Sequence, residues 1–95
     1  MEILLSQFVE RKQGEWSYLH KKVNSDLTPI VGHFIEDVLW EEGSNEIVKV
    51  ELDLKNNSYF ITMKPLKTQM PIKEYVDMAK YHGWLKPGEL EQREG

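Results

Sequence analysis

Hydrophobic and polar residues alternate most regularly between Glu46 and Lys64. Alternation with a period of two is typical of a strand with one buried face. In the first half of this stretch four aliphatic residues alternate with charged ones, namely Val48, Val50, Leu52 and Leu54. Asn56 and Asn57 follow them, and asparagine tolerates the positive φ angle that a two-residue turn needs. The pattern therefore predicts a β-hairpin.

A turn at the two asparagines also predicts the register of this hairpin. The expected pairs are Lys55 with Ser58, Leu54 with Tyr59, Leu52 with Ile61, and Val50 with Met63. The opposite face pairs Asp53 with Phe60 and Glu51 with Thr62, and it is mostly polar. Because an isolated hairpin is marginally stable in water, we expect other segments to cover the apolar face.

Residues 1–24 fit two secondary structures. Leu4, Leu5, Phe8 and Val9 have helical spacing, which Trp16, Leu19 and Val23 could continue. Gln13 and Gly14 instead lie midway between two runs rich in β-forming residues, as in a hairpin. The hairpin is the preferred interpretation. Its expected pairs are Lys12 with Glu15, Val9 with Tyr18, Phe8 with Leu19, and Leu4 with Val23.

Residues 25–45 are also ambiguous. A helix could begin with Thr28 as N-cap and Pro29 in its first turn, and end at Gly43. Gly32 opposes that helix, because an internal glycine costs about 1 kcal/mol relative to alanine. The alternative is a tight turn at residues 29–32, a short strand from His33 to Asp37, and a turn or short helical piece near residues 38–42. Periodicity alone favours the helix.

The order of these segments resembles small proteins encoded by phages and prophages of Gram-positive bacteria. The resemblance covers about residues 2–64 and is carried by the Gly-Glu-Trp turn at residues 14–16, the P-x-x-G-x-x-I motif of Pro29, Gly32 and Ile35, and the alternating hairpin. In those proteins the motif leads into a strand, so the resemblance favours the strand for residues 33–37. It implies a phage accessory protein and no common activity.

Residues 71–82 are predicted to be helical. Ile72, Tyr75, Val76 and Ala79 follow the spacing of one helix face, with Pro71 in the first turn after Met70 as N-cap. Gly83 suits the left-handed position after the helix, from which Trp84 can fold back. The predicted class is therefore α+β. A small antiparallel sheet of two hairpins and a short strand is packed by one C-terminal helix, with one domain over residues 1–88 and a mobile acidic tail over residues 89–95.

Composition narrows the functional classes. The net charge is −4, which disfavours binding to a phosphate backbone, so no nucleic-acid partner is expected. The chain has no cysteine, which excludes disulfides, thiolate metal sites and a cysteine nucleophile. No apolar run approaches the roughly 20 residues of a membrane span, and residues 3–5 are too short for a signal sequence. We expect a cytoplasmic protein without a membrane partner.

No catalytic or cofactor motif is present in the sequence. His20, His33 and His82 are scattered without metal-ligand spacing, so no metal is expected. The adjacent carboxylates Glu36–Asp37 and Glu41–Glu42 point apart on a strand and more often form a solvated rim than an acid–base pair. We therefore expect neither an enzyme nor a cofactor.

The main functional hypothesis is a protein-binding module that inhibits or redirects a host protein. Trp40 lies in a polar stretch where its ring is hard to bury, and Phe60 lies on the polar face of the hairpin, unless it marks the seat of the helix. Exposed aromatic residues are typical binding anchors. A set of carboxylates would steer a basic partner: Glu36, Asp37, Glu41 and Glu42.

The alternative hypothesis is an oligomeric binder that sequesters a nucleotide signal of bacterial immunity. Its predicted site combines aromatic rings with cations near the end of the helix: Tyr81, His82, Trp84, Lys80 and Lys86. The same residues suit a helix end with no ligand. Homo-oligomeric assembly through an exposed sheet edge is compatible with both hypotheses.

Overall fold

Residues 1–89, the part of the chain that the computed structural model describes, form six strands and a helix. The strands are β1 (Glu2–Lys12), β2 (Glu15–Asn24), β3 (Phe34–Glu36), β4 (Ser44–Asp53), β5 (Ser58–Met63) and β6 (Leu66–Lys67), and the helix is α1 (Ile72–Tyr81). Residues 87–89 begin a further helical turn. The predicted α+β composition is confirmed at this level, with strand as the larger part.

The sheet is mixed, which corrects the expectation of an antiparallel sheet. Its strand order is β2-β1-β5-β4-β3, with β6 also paired to β1. The β1–β2, β4–β5 and β3–β4 pairs are antiparallel, whereas β1 runs parallel to β5 and β6. β1 lies between β2 and β5, and its alternate residues Ile3, Leu5, Gln7 and Val9 are all buried. Alternation along a strand reports burial but not the direction of its neighbours.

The N-terminal hairpin is confirmed, but its register is shifted. Lys12 lies opposite Glu15 as predicted, and a bulge at Arg11 then moves every later pair by one residue. Phe8 lies opposite Tyr18 rather than Leu19. The extra residue brings Val9 and Leu19 onto the buried face together.

The β4–β5 hairpin is also confirmed, with a register two residues from the predicted one. Leu52 lies opposite Tyr59 and Val50 opposite Ile61. The loop has four residues because the Asp53 carboxylate accepts hydrogen bonds from the backbone N–H groups of Lys55 and Asn56 and from the Asn56 side chain. Asn57 adopts the expected positive φ, 52°. The shift of two keeps the side chains of residues 50–53 and 58–61 on their predicted faces.

Burial along β4 differs from the prediction. A bulge at Val48 places Ile47 opposite Met63, so Ile47 enters the core and Val48 is exposed. Val50 is half-buried against the core, whereas Leu52 is exposed and Leu54, in the loop, is 82% exposed. The apolar face is therefore covered only in its half nearest Met63.

Residues 29–37 form the predicted turn and strand rather than a helix. Gly32 has φ 93°, and its N–H donates to the carbonyl of Ile47. β3 pairs with β4, and Ile35 packs half-buried against the core. Turns follow at residues 38–43.

The helix and its end follow the predicted pattern. Tyr75, Val76 and Ala79 are buried, although Pro71 rather than Met70 is the N-cap residue. Gly83, with φ 91°, donates to Lys80, and the N–H of Trp84 donates to the carbonyl of Ala79, as in a Schellman motif. Trp84 is thereby returned to the core, where it is fully buried.

The segment after the helix continues along the outer edge of β2. The backbones of Leu85 and His20 exchange hydrogen bonds of 2.7 and 2.9 Å. Glu89, the first residue of the predicted tail, accepts from Lys80 and from the N–H of Lys86. The rest of that tail lies outside the described residues.

The two faces of the sheet have different surroundings. The face with Leu5, Val9, Ile61 and Met63 carries α1 and the turns before β4, and it contains the core.

Within residues 1–89 no helix has the length and apolar character needed to cross a membrane.

The left-handed glycine at the helix end gives the first prediction. Gly83→Ala should lower the free energy of unfolding by about 1 kcal/mol, because a side chain at positive φ strains the backbone. The space is sufficient, since the nearest atom to an added Cβ would be Cε of Lys21 at 3.5 Å. Urea denaturation measures the change. Gly88→Ala, which has open space, is the control and should be nearly neutral; an equal loss in both variants would contradict the prediction.

Candidate functional site

Trp40 is part of a buried polar network and is not an exposed anchor. It is 4% exposed, and its Nε1–H donates to Oε1 of Gln7 at 2.8 Å. Asn45 Nδ2 donates to the same oxygen at 2.8 Å and to the carbonyl of Lys64 at 2.9 Å. Gln7 Nε2 in turn donates to the carbonyls of Phe8 and Lys64. The prediction that Trp40 is exposed is wrong, and with it the reason for expecting Trp40 to contact a partner. Gln7 provides the hydrogen-bond acceptor that the Trp40 indole needs inside the core.

Asp37 likewise has a structural position rather than a steering one. Its carboxylate accepts from Lys21 Nζ at 2.7 Å, from the N–H of Leu39 at 2.9 Å and from Trp84 Nε1 at 3.1 Å. Burial alone would raise the pKa of this carboxyl group, but the hydrogen bonds, chiefly that from Lys21, outweigh burial and lower the pKa below its ordinary value of 3.8. Asp37 therefore connects β2, the turn after β3 and the segment after α1.

The two buried tryptophans join these networks. Their ring centroids lie 5.7 Å apart with an edge-to-face angle of 71°, a favourable aromatic arrangement. Lys21 Nζ also donates to the carbonyl of His82 and lies 5.8 Å from the Trp84 ring centroid. The residues from Asp37 to Asn45 are thus held against the core at both ends.

The residues of the alternative ligand site do not converge. Trp84 is fully buried, whereas Tyr81 is almost fully exposed beside the half-buried His82. Lys80 forms an ion pair with Glu89 at 2.8 Å, and the Lys86 side chain is exposed. None of the five lines any of the three clefts described within residues 1–89. Trp84 could not stack on a nucleotide without leaving the core.

Phe60 is half-buried on the face of the sheet opposite α1. Its ring contacts the ring of His20 edge-to-face, with centroids 5.8 Å apart. The helix therefore does not pack on Phe60, because it packs on the opposite face of the sheet, which contains Ile61. Since the ring is partly covered, it is a weaker candidate anchor than the sequence suggested.

An aromatic cluster on the same outer face was missed by the sequence analysis. Phe8, Trp16 and Tyr18 have ring centroids 5.2 to 5.9 Å apart, and the two residues on β2 are about half-exposed. The signal was the spacing of Trp16 and Tyr18 after the turn, but only the bulge at Arg11 places Phe8 opposite them. Trp16 and Tyr18 pack edge-to-face, and Phe8 is tilted against both rings.

A second apolar surface surrounds β3, and we call it the β3 surface. It consists of five side chains that are at least half-exposed: Leu27, Ile30, Val31, Phe34 and Val38. Of these, Leu27 is 80%, Phe34 64% and Val38 70% exposed. Beside them a cleft of about 370 Å³ opens between the loop of residues 25–30 and β3. Its apolar lining includes Ile3, Leu5, Val23, Ile35 and Ile47.

The sequence segment that contains β3 is acidic, although Asp37 is paired with Lys21 at 2.7 Å, and Glu41 and Glu42 line a separate cleft together with Lys64 and Lys67. Residues 24–46 include six carboxylates and no lysine or arginine, and the carboxylates are Asp26, Glu36, Asp37, Glu41, Glu42 and Glu46. This segment alone carries −6 in a chain whose net charge is −4. Glu36, Glu41 and Glu42 are exposed, so three of the four predicted steering residues do face solvent. The sequence analysis identified four of these six carboxylates as steering residues, but not the absence of lysine and arginine from the whole segment.

No side-chain arrangement within residues 1–89 suits metal binding, because no three histidine, aspartate or glutamate side chains in that range come close enough to hold an ion. The three histidines lie on β2, before β3 and after α1.

Comparison with known proteins gives no match to a family model, a curated protein or a solved structure. A function for this fold must therefore be inferred mainly from the side chains of the site.

Asp37 leads to a prediction about pH. Asp37→Asn should lower the free energy of unfolding at pH 7 by about 2 kcal/mol, because three hydrogen bonds to a charged acceptor are weakened. Since the folded pKa is below the unfolded one, this stability is complete above the unfolded pKa and is lost as pH falls through the folded pKa. Urea denaturation of both proteins should therefore show a difference that shrinks below about pH 4. The exposed neighbour provides the control, Glu36→Gln, and a difference independent of pH would refute the assignment.

Gln7 leads to a second prediction. Gln7→Leu should cost about 2 to 3 kcal/mol of unfolding free energy, because the Trp40 indole N–H loses its acceptor inside the core. Gln13→Leu, at the exposed β1–β2 turn, should change stability by less than about 0.5 kcal/mol. Urea denaturation followed by tryptophan fluorescence distinguishes the two. Equal stability of the two variants would show that the network is dispensable.

Proposed function

We propose that this protein is a non-enzymatic binding module that uses the β3 surface to capture a basic segment of another protein. The observation that carries the proposal is the coincidence of two properties in residues 24–46. Five exposed apolar side chains lie there, three of which (Leu27, Ile30 and Phe34) line a cleft, and the same segment holds six carboxylates and no lysine or arginine. Contiguous exposed apolar side chains are typical of interaction sites.

The combination of exposed apolar side chains and carboxylates supports a protein partner. Apolar residues exposed to this extent are costly to leave in water, and their burial against a partner supplies the main favourable term in association. The surrounding carboxylates would attract basic residues and increase the association rate. They would repel a nucleic acid, whose phosphates carry the same charge.

Phe34 replaces Trp40 as the proposed anchor. It is a large aromatic residue, most of its surface is exposed, and it lies on an edge strand between Gly32 and the carboxylate of Glu36. Rigid aromatic side chains at the centre of an interface often carry most of its energy. Because residues 37–45 are held against the core, the loop that flanks Phe34 is already ordered, which reduces the entropic cost of binding.

The partner would be a host protein in the phage setting that the sequence resembles, met in the cytoplasm. A chain without cysteine suits that reducing compartment. Binding would inhibit or redirect the partner by covering its basic segment. The five residues of the nucleotide-sequestering alternative line none of the three clefts described within residues 1–89, so that alternative has less support.

The test compares two variants in a pull-down from a Gram-positive host lysate, with the retained proteins quantified by mass spectrometry. Phe34→Asp should reduce recovery of the specific partner by about 30-fold, the equivalent of a hot-spot loss of about 2 kcal/mol. Leu54→Asp is the matched control, since Leu54 is equally apolar and exposed but lies in the β4–β5 loop. It should retain the partner, and raised salt should weaken recovery by the wild type.

If every retained protein is recovered equally by Phe34→Asp and Leu54→Asp, the β3 surface is not the binding site. Circular dichroism of both variants confirms that neither result arises from unfolding.

A further inference from the structure

β3 is the last strand of the sheet, and its outer edge has no neighbouring strand within residues 1–89. In an antiparallel pair, successive residues point their backbone N–H and C=O groups alternately toward and away from the partner strand. His33 accepts from Ile47 at 2.8 Å, and Asp37 donates to Gly43 at 3.1 Å, so these two residues face β4. Phe34 and Glu36, which alternate with them, therefore direct their N–H and C=O groups away from β4.

The geometry points to an extended peptide segment of the partner that adds to β3 as a further strand. This inference rests on the proposed function and specifies how the partner binds. An edge strand is a ready template for such pairing, and its main-chain hydrogen bonds supply affinity without depending on sequence. The side chains of β3 then determine which segments fit.

The chemistry of the segment follows from its neighbours. Phe34 and Glu36 lie on one face of β3 and Ile35 on the other, and all three line the cleft at this edge, with Ile35 beside Ile47. A paired segment places an apolar residue opposite Phe34, an apolar residue opposite Ile35 above the cleft, and lysine or arginine opposite Glu36. The recognised unit is thus two consecutive apolar residues next to a basic one, in extended conformation. A cleft of about 370 Å³ is at the small end of binding pockets, which suits side chains rather than a cofactor.

A second copy of this chain is a poorer occupant than a foreign segment. Two β3 edges paired with each other would bring Glu36 of one copy and the acidic segment around it close to the same residues of the other, and like charges across a strand pair are destabilising. A basic segment instead offsets that charge. The charge around the edge therefore selects against self-pairing.

The experiment isolates one backbone N–H group. Glu36→Ala removes the carboxylate and keeps the N–H, whereas Glu36→Pro removes both. Proline is tolerated on an edge strand where the N–H faces outward, so the β3–β4 pairing is retained. The probe is a peptide of about ten residues selected from a random display library on the immobilised protein, with affinity measured by fluorescence anisotropy.

We expect selected peptides to contain a basic residue next to two apolar ones and to lack proline. Their affinity should be at least about tenfold weaker for Glu36→Pro than for Glu36→Ala. Methylation of every second backbone nitrogen of the peptide should also weaken binding when the methylated N–H groups face β3, and should not when the other alternate set is methylated. That second measurement decides the question if Glu36→Pro fails to fold.

The other outcomes separate the two proposals. Peptides that require Phe34 but bind both Glu36 variants equally overturn strand addition and leave the proposed function intact. Peptides that bind Phe34→Asp as well as the wild type overturn both proposals. If no peptide is enriched from the library, strand addition is overturned. It is also overturned if light scattering shows a dimer that Glu36→Pro dissociates, because a second copy of the chain then occupies the edge of β3.

Discussion

The Asp37 carboxylate holds the parts of this structure in their relative positions. Three donors from three parts of the chain meet on it: Lys21 of β2, the backbone after β3, and Trp84 after the helix. A buried charge is stable only when its hydrogen-bonding capacity is filled, and here the donors lower the pKa against the effect of burial. The two ends of a five-strand path are joined by this one side chain.

A second polar group, Gln7, has the corresponding role deeper in the core. It is fully buried on the central strand and satisfies both Trp40 and Asn45. Together the two networks hold residues 37–45, which are rich in carboxylates, close to the apolar interior. The exposed residues of β3 therefore lie next to a segment that is hydrogen-bonded to the core, whereas the rings of Trp40 and Trp84 are buried in it.

Much of the secondary structure could be predicted because local signals agreed. Gly14 and Asn57 marked turns, Gly83 marked the helix end, and all three have positive φ in the structure. Registers were less predictable, because a bulge needs one extra residue and no local pattern announced those at Arg11 and Val48. The four-residue loop after Asp53 depends on hydrogen bonds from the backbone N–H groups of Lys55 and Asn56 to the Asp53 carboxylate. The asparagine pair predicted a two-residue turn instead.

The site was harder to predict than the fold. Trp40 seemed exposed because its sequence neighbours are polar, yet burial depends on partners far along the chain, and Gln7 lies 33 residues away. The clustering of carboxylates in residues 24–46 was present in the sequence, as was their mixture with apolar residues. A binding surface could be inferred from this clustering only once the structure showed that Leu27, Phe34 and Val38 face solvent.

The sequence by itself determined the turns at Gly14 and Asn57, the hairpin of residues 46–64 and the helix that ends before Gly83, because these features depend on residues within a few positions of one another. Only the tertiary structure decided that β1 lies between β2 and β5, which strands run parallel, and which aromatic rings are buried. Those outcomes depend on contacts between residues far apart in the chain, which alternate apolar and polar positions do not encode.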